Sequence, residues 1–469
     1  MIQKIKRRCF LQSLVAGAAA FSLPVRLRAA MSRNNDSRPN IIFIMADDLG
    51  YENLGCYGAN KIQTPNIDRI AGEGIRFTNC YSGSTICAPS RSVLMTGQHT
   101  GHTRVRGNMC TVGGTLGYKG NRQVRRACLT DEDITTGHVL QKAGYKTCLV
   151  GKWHLGAYDP KAGPMDRGFD EFYGWTINEA ATEGYYPSKR FRNRQLYDVK
   201  ENQSGQQGRY STDICTDEAV DFVKNNKDKS FFLYLSYNNP HSPFLVPDEG
   251  PYKDKDWSGP CKIFAGMIHR LDQCIGRFMQ TLKEQQIDEK TIVFFCSDNG
   301  PRSEPTQEQT QVAEFFDSNG PLRGYKRDLY EGGIRVPMMV RWPGKISAGI
   351  TSDFPWYFAD VLPTAAEFAG ITPHDNIDGK SIVPVLLGKQ KDLGDRFLYW
   401  ECFENGFQQA VRWKNWKAVR LKKGEPLVLF DLSKDLSEEH DIASENHEII
   451  AQIEEYLKTA RTESLNWPL

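Results

Sequence analysis

The chain has 469 residues, of which 40% are hydrophobic and 25% are charged, a composition typical of a globular protein. Its length suffices for two or three domains, or for one large domain with a small appendage. The formal net charge is only +2, which excludes the strong basic excess expected of a general nucleic-acid-binding protein.

Residues 1–30 have the features of a targeting segment. A basic stretch that ends in Arg7-Arg8 precedes an apolar run at 15–23 and the small residues Ala29-Ala30. An arginine pair followed by Phe-Leu is typical of a twin-arginine export signal, and an ordinary secretory signal is the alternative. The apolar run is too short to span a bilayer. We therefore predict export to the periplasm or the medium by the twin-arginine machinery, without a stable membrane anchor.

Three continuous apolar runs predict strands that are buried on both faces, as in a parallel sheet. They occur at 40–46, 231–236 and 291–296. Helical patterns accompany them at 132–143, 216–226 and 262–286. Strands that alternate with helices predict an α/β fold, here a large mixed, mostly parallel sheet sandwiched by helices.

The pattern changes after about residue 375. Segment 397–432 has short aromatic and β-branched runs broken by Lys-Gly and Lys-Asn turns, which predicts a small antiparallel sheet. A helical pattern at 447–462 is expected to pack on this sheet. We therefore predict a main α/β domain at 31–375 and a C-terminal α+β subdomain at 376–469.

Polar residues follow the buried runs at their carboxyl ends, where α/β sheets bind ligands. Asp47-Asp48 follows the first run, Asp298-Asn299 follows the third, and His241 comes shortly after the second. Three carboxylates and one amide oxygen form a set suited to Ca²⁺ or Mg²⁺. Neither acidic loop contains histidine, so zinc is less favoured. Each loop by itself could also be an ordinary turn.

Six short motifs occur in order along the chain. They are Ala46-Asp47-Asp48-Leu49-Gly50, Cys87-Ala88-Pro89-Ser90-Arg91, Gly151-Lys152-Trp153-His154-Leu155-Gly156, Pro240-His241-Ser242-Pro243, Ser297-Asp298-Asn299-Gly300, and Lys326 followed by Tyr330-Glu331-Gly332-Gly333-Ile334-Arg335-Val336-Pro337. Together they resemble the motifs of the type I, formylglycine-dependent, arylsulfatase-like sulfatases of the alkaline phosphatase superfamily. The resemblance extends from Asn40 to about Asp441 and makes 31–375 the expected catalytic domain.

The resemblance implies that Cys87 is oxidised to Cα-formylglycine by a maturation enzyme. A plain thiol is a poor nucleophile towards a sulfate ester. A hydrated aldehyde has two hydroxyls, of which one can attack sulfur and the other can later expel sulfate. The sequence contains 12 cysteines, and an odd number remains when Cys9 of the targeting segment is excluded. Conversion of Cys87 would account for the odd thiol, although buried free cysteines would also do so.

The resemblance further implies one divalent ion, usually Ca²⁺, with Mg²⁺ as the alternative. Asp47, Asp48, Asp298 and Asn299 would hold this ion together with the modified residue at Cys87. The oxygen ligands alone permit either cation.

The remaining roles also follow from the resemblance. Arg91 would hold the diol, and Lys152 and Lys326 would neutralise charge on the sulfate group. His241 would protonate the leaving alcohol, and His154 would act as base for the second hydroxyl. Each of these residues could be structural or solvated if the motif were not present.

One geometric expectation concerns Lys152 and His154. They follow the apolar run 147–150 and are two residues apart, so on a strand both side chains would lie on one face.

We therefore expect a sulfuric ester hydrolase that acts on an alcohol or aryl sulfate, with a sulfated carbohydrate as the favoured substrate. One alternative is a phosphodiester or phosphonate monoester hydrolase on the same fold. A catalytically inactive binder of sulfated glycans and a structural exported protein are further alternatives. The loops 99–128, 157–210 and 301–325 are long and polar and are expected to determine specificity.

Other charged residues are interpreted structurally. Lys422-Lys423 and Glu438-Glu439 are expected to be solvated, and Asp272 and His269 are expected to pack or to cap a helix.

Overall fold

The structure is a computed structural model that describes residues 38–157, 159–177 and 184–469. The predicted export signal at 1–30 lies outside these residues.

The described chain alternates strands and helices over most of its length. The strands are β1 (Asn40–Asp47), β2 (Ile75–Phe77), β3 (Cys80–Tyr81), β4 (Thr115–Lys119), β5 (Arg122–Arg126), β6 (Lys146–Lys152), β7 (Glu171–Trp175), β8 (Lys189–Arg192), β9 (Gln195–Asp198), β10 (Phe231–Pro240), β11 (Thr291–Ser297), β12 (Met338–Arg341), β13 (Ile350–Ser352), β14 (Trp356–Tyr357), β15 (Phe397–Cys402), β16 (Gln408–Trp413), β17 (Trp416–Arg420) and β18 (Val428–Asp431). The α-helices are α1 (Pro65–Gly72), α2 (Cys87–Thr96), α3 (Thr136–Lys142), α4 (Ser211–Asn226), α5 (Gly259–Glu284), α6 (Gln307–Phe315), α7 (Glu331–Ile334), α8 (Val361–Phe368), α9 (Val383–Leu386) and α10 (His447–Leu457). None of these helices combines the length and the apolar character needed to cross a membrane.

The largest sheet of the described chain has ten strands in the order β13-β2-β12-β11-β1-β10-β6-β7-β8-β9. The five central strands, from β11 to β7, are parallel to their neighbours. Antiparallel pairing appears only towards the edges, where β12 joins β11 and β8 joins β7. The predicted large mixed, mostly parallel sheet is confirmed.

The central strands read as continuous apolar runs because helices cover both faces of the sheet. All residues of β1, β10 and β11 are buried. Alternate residues of β1 belong to separate cores: Phe43 packs with α2 and α8, whereas Ile44 packs with α4 and α5. This alternation places the carboxyl end of β1 between two packed layers.

The predicted C-terminal antiparallel sheet is also confirmed, with the order β15-β16-β17-β18. One face packs on α10, through contacts that include Val411 and Ile453. The other face, which includes Trp400 and Val419, joins the core beside α2. The small sheet and the large sheet belong to one compact unit, Arg38–Leu469, and the division at residue 375 stays a prediction.

The expectation that Glu438-Glu439 is solvated is wrong for Glu438. Its side chain is buried, and it accepts hydrogen bonds from Lys417 Nζ at 3.2 Å and from the Glu331 backbone N–H at 2.6 Å. The buried ammonium of Lys417 on β17 supplies the counter-charge that this position requires. Glu439 and the pair Lys422-Lys423 are exposed, as expected.

The cysteines of the described chain form no disulfides. All eleven are free, and nine of them are buried, including Cys148 and Cys296. The odd cysteine count therefore carries no information about Cys87.

Asp272 on α5 caps α1, as predicted. Its carboxylate accepts hydrogen bonds from the backbone N–H groups of Asn66 and Ile67 at 2.9 and 2.8 Å.

Candidate active site

The acidic residues predicted as metal ligands come together because β1 and β11 are neighbouring parallel strands. Asp47 is the last residue of β1, and Asp298 and Asn299 follow β11 directly. The Asp48 backbone N–H donates to Asp298 Oδ1 at 3.2 Å, and Asn299 Nδ2 donates to Asp48 Oδ1 at 2.8 Å. Asp48 has a φ of 62°, a left-handed conformation that aspartate tolerates better than most residues.

The donor set fits a divalent cation. Single ligand atoms of Asp47, Asp48, Cys87 and His241 all lie within 4.8 Å of one another. Within the described chain, the buried oxygens Asp48 Oδ2 and Asn299 Oδ1 have no hydrogen-bond partner. Burial, followed by the charge of Asp47, raises the pKa of Asp298. A hard cation would satisfy the unpartnered oxygens and offset the repulsion between the carboxylates.

Cys87 is the first residue of α2. Its Sγ lies 3.7 Å from Asp47 Oδ1 and 3.1 Å from Lys326 Nζ. Burial raises the pKa of the Cys87 thiol to about 11, although Lys152 and Lys326 act in the opposite direction. The helix thus places residue 87 against the acidic cluster and between two lysines.

Arg91 lies one helical turn after Cys87 and is fully buried. Its Nε and Nη2 donate to Asp298 Oδ2 at 3.1 and 2.7 Å, and its Nη1 donates to the Lys152 carbonyl at 3.1 Å. The described contacts of Arg91 therefore fix Asp298 and the end of β6.

The two predicted lysines face different carboxylates. Lys152 Nζ lies 2.5 Å from Asp47 Oδ2, and Lys326 Nζ donates to Asp48 Oδ1. Burial would lower the pKa of Lys326, but Asp48 and Cys87 together hold it above its usual range. Lys326 is therefore positively charged beside residue 87.

His241 follows β10 and is buried at the same end of the sheet. Its Nδ1 lies 2.5 Å from the Ser242 carbonyl and donates to it, so Nε2 is the nitrogen that faces Asp48 Oδ2, at 3.6 Å. Burial lowers the pKa of His241 to about 3 even though the charge of Asp48 opposes this.

The expected strand face shared by Lys152 and His154 is wrong, because β6 ends at Lys152. His154 lies in the following loop with a φ of 64°, and its Nε2 is 3.1 Å from Arg126 Nη1. Burial, followed by the charges of Lys152 and Arg126, lowers the pKa of His154 well below its usual range. His154 is therefore a neutral imidazole, the form that can accept a proton.

Sequence reasoning missed several residues of the site. Arg126 contacts His154, Ser236 on β10 accepts from Arg91 Nη1, and Arg302 Nη1 donates to Ser242 Oγ at 2.9 Å. Ser236 and Arg302 lie near the carboxyl ends of buried strands, the signal that identified His241. Arg126 has no such signal, because it belongs to the separate hairpin of β4 and β5.

Comparison with known proteins identifies the family. The Sulfatase family profile matches residues 39–371, and a profile described as N-sulphoglucosamine sulphohydrolase, C-terminal, matches residues 324–463. Human N-acetylgalactosamine-6-sulfatase is 32% identical, with 77% of this chain and 68% of the relative aligned. The N-acetylgalactosamine-6-O-sulfatase of Bacteroides thetaiotaomicron is 30% identical, with 91% and 94% aligned.

A solved structure agrees with the sequence comparisons. Ps i-CgsB, in complex with k-i-k-neocarrahexaose, superposes with a TM-score of 0.78 at 30% identity, covering 92% of this chain and 95% of the other. The family profile spans most of the chain and includes the strand ends that carry the site. The chain therefore belongs to the sulfatase family and is a sulfuric ester hydrolase.

Proposed function

We propose that this enzyme releases inorganic sulfate from a sulfated carbohydrate, with residue 87 acting as a formylglycine hydrate beside one divalent ion. Two of the relatives described above are N-acetylgalactosamine-6-sulfatases, which supports a sulfated sugar as the substrate. The oxygen ligands suit either Ca²⁺ or Mg²⁺. Ca²⁺ is the favoured ion because of the resemblance to the family, and Mg²⁺ is the alternative.

One observation carries the proposal: Cys87 Sγ lies within 4.8 Å of ligand atoms from Asp47 and Asp48 and 3.1 Å from Lys326 Nζ. A nucleophile at this position would lie between a cation held by Asp47 and Asp48 and the ammonium group of Lys326. Both positive charges would then offset the negative charge of a bound sulfate group. The formylglycine hydrate at residue 87 would supply the attacking hydroxyl. A bound cation would polarise the sulfate group.

The side chains around residue 87 divide the remaining work. Lys152 and Lys326 provide fixed positive charge where negative charge develops on the sulfate oxygens. Arg91 holds Asp298 in position through two hydrogen bonds. For His241 to protonate the leaving alcohol, its Nε2 must first take up a proton, which the negative charge of a bound sulfate ester would favour. The neutral His154 would act as the base for the second hydroxyl of the hydrate.

The direct test is the mass of the tryptic peptide Phe77–Arg91 from protein produced in its native host. A mass that corresponds to an aldehyde or its hydrate at position 87, together with sulfate release from a panel of sulfated sugars, is expected. An intact thiol in protein that still releases sulfate would overturn the formylglycine assignment.

A phosphodiester or phosphonate monoester hydrolase remains the rival activity, because fold alone does not fix the substrate. Matched 4-nitrophenyl esters of sulfate, methylphosphonate and phosphate separate the two. We expect the sulfate ester to have the highest kcat/KM; a preference for the phosphonate would favour the rival.

The proposal includes the division into a catalytic domain at 31–375 and a subdomain at 376–469.

The proposal also includes export by the twin-arginine pathway to the periplasm or medium, after a maturation enzyme has modified Cys87. Replacement of Arg7-Arg8 by two lysines is expected to leave the protein in the cytoplasm, as measured by cell fractionation. Unchanged export of that variant would favour the ordinary secretory signal.

A further inference from the structure

One buried hydrogen bond joins the separate hairpin of β4 and β5 to a predicted catalytic residue. Arg126 is the last residue of β5, and its Nη1 lies 3.1 Å from His154 Nε2, with both side chains buried. A guanidinium group stays protonated and can only donate hydrogen bonds. His154 Nε2 must therefore accept, and in a neutral imidazole the proton then lies on Nδ1.

Backbone contacts hold these two residues together. The backbone N–H of Leu129 donates to the Leu155 carbonyl at 3.1 Å. This bond joins the segment that follows β5 to the loop that contains His154. Within the hairpin, Thr115 is paired with Arg126, and its Oγ1 donates to the Arg126 carbonyl at 3.3 Å. The contact between Arg126 and His154 is thus built into the fold.

The loop of His154 is also anchored at the acidic cluster. Lys152 lies two residues before His154, at the end of β6. Its ammonium group is 2.5 Å from Asp47 Oδ2, and its carbonyl accepts from Arg91 Nη1 at 3.1 Å. The chain neighbours of His154 are therefore fixed beside the candidate metal ligands.

The second ring nitrogen of His154 lacks a partner. Among the residues that the structure describes, none forms a hydrogen bond with His154 Nδ1, which is buried. Buried polar groups are seldom left in this state without a functional reason. His154 also has a φ of 64°, a backbone conformation that clusters at active sites when a residue other than glycine adopts it. Both features indicate a side chain that is held in place for a ligand.

We propose that Arg126 is a positioning residue of the sulfatase reaction: it keeps the proton of His154 on Nδ1, so that the imidazole donates a hydrogen bond to an oxygen of the bound sulfate ester. The inference rests on the proposed function, which gives His154 a place beside the substrate. Negative charge grows on the sulfate oxygens during attack, and a buried, fixed donor stabilises that state. Arg126 acts through His154 and needs no contact with the substrate.

This assignment also limits when His154 can act as a base. A ring that carries its proton on Nδ1 can accept a second proton only at Nε2. Arg126 donates to that nitrogen in the structure. The base role proposed above therefore requires Arg126 to withdraw from Nε2 before the second hydroxyl can be deprotonated.

The position of the proton is measured by ¹⁵N NMR of histidine-labelled protein, because protonated and unprotonated ring nitrogens have well-separated chemical shifts. The chain has nine histidines, so the signals of His154 are identified by their loss in His154→Asn. Asparagine tolerates the left-handed backbone at this position. We expect a protonated Nδ1 and an unprotonated Nε2 in the wild type. Arg126→Met should shift the proton towards Nε2, and Arg126→Lys, which keeps a cationic donor, should retain it on Nδ1.

Kinetics of the matured enzyme show whether Arg126 acts through His154. Arg126→Met should lower kcat/KM for 4-nitrophenyl sulfate about tenfold, the size expected for the loss of one charge-assisted hydrogen bond. In His154→Asn, which already lacks the imidazole, the same substitution should change kcat/KM by less than about twofold. The matched control is Arg125→Met, which removes an exposed arginine from the same strand and should leave kcat/KM unchanged.

Three results would overturn the assignment. They are a proton on His154 Nε2 in the wild type, a proton that stays on Nδ1 in Arg126→Met, and equal losses of kcat/KM in the two backgrounds. The first result needs no substitution of Arg126, so the inference can be tested even if the methionine variant does not fold.

Failure of this inference can be distinguished from failure of the proposed function, because the NMR measurement needs no turnover. A protein that releases no sulfate from any ester but carries the His154 proton on Nδ1, in dependence on Arg126, would refute the function and keep the contact between the two residues as the determinant of the tautomer. Sulfate release by an enzyme with the proton on Nε2 would do the reverse.

Discussion

At the scale of single residues, the structure explains why an unmodified Cys87 would be a poor catalyst. Burial raises the pKa of its thiol to about 11, so at neutral pH the sulfur carries its proton. Reactive cysteines instead have depressed pKa values. A position that suppresses thiol chemistry while offering a cation-binding cluster and two lysines is suited to an oxygen nucleophile.

Cys87→Ser should lose steady-state turnover by at least about 10³-fold, because serine offers one hydroxyl and cannot expel sulfate after it has attacked. Incubation with 4-nitrophenyl sulfate should release at most one equivalent of nitrophenol and add one sulfuryl group to the protein, as measured by intact mass. Cys87→Ala is the matched control and should gain no mass. Sustained turnover by the serine variant would contradict the two-hydroxyl scheme.

At the scale of elements, buried charges connect the C-terminal sheet to the main body of the enzyme. Lys417 on β17 lies 2.9 Å from Glu331 Oε1 on α7 and 3.2 Å from Glu438 Oε1. All three side chains are fully buried. Removal of one partner from such a group leaves a buried charge without compensation, which costs more than the pair itself contributes.

Lys417→Met should therefore lower the free energy of unfolding by about 3–5 kcal/mol. Urea unfolding of the purified enzyme measures the change. Lys423→Met, which removes an exposed lysine from the loop between β17 and β18, should change stability by less than about 0.5 kcal/mol. A similar small effect for both variants would mean that the buried carboxylates of Glu331 and Glu438 do not need the charge of Lys417 for the stability of the fold.

Asp272→Ala should lower the free energy of unfolding by about 0.5–2 kcal/mol, because it leaves two backbone N–H groups at the start of α1 without their acceptor. The matched control is Asp254→Ala, which removes an exposed carboxylate ahead of α5. The difference between the two variants in chemical denaturation measures the cap. No difference would show that solvent replaces the carboxylate at no cost.

At the scale of the whole molecule, the acidic cluster joins elements that are far apart in the chain. Asp47 ends β1, Asp298 follows β11, and Cys87 begins α2. A cation held among them would connect both central strands to the helix that begins at Cys87. Its binding should therefore stabilise the fold as well as the site.

Removal of divalent ions by EGTA and EDTA should lower the unfolding temperature and abolish sulfate release, and Ca²⁺ should restore both. At a free concentration about 100-fold above its Kd, the ion contributes about 2.7 kcal/mol. Asp298→Asn should reduce the stabilisation by Ca²⁺ measured by calorimetry. An unfolding temperature that does not respond to chelation or to Ca²⁺ would contradict a cation in this cluster.

Most of the fold could be predicted because its signals are local. The runs at 40–46, 231–236 and 291–296 are continuously apolar since helices cover both faces of the sheet. The loops 99–128 and 157–210 contain no continuous apolar run of this kind. They contain β4, β5, β8 and β9, which are short strands at or beyond the sheet edge with mostly polar sequences, and the five-residue strand β7.

The sequence by itself predicted the sheet type, because continuous apolar runs record it locally, and its short motifs led to the proposal of Cys87 and of oxygen ligands for a cation. Only the tertiary structure decided that Glu438 is buried, that His154 lies beyond its strand, and that Arg126 contacts it. The first and the last of these outcomes each depend on a partner more than 20 residues away, Lys417 for Glu438 and His154 for Arg126. Burial and pairing of a charge are properties of the assembled layers, so no local pattern specifies them.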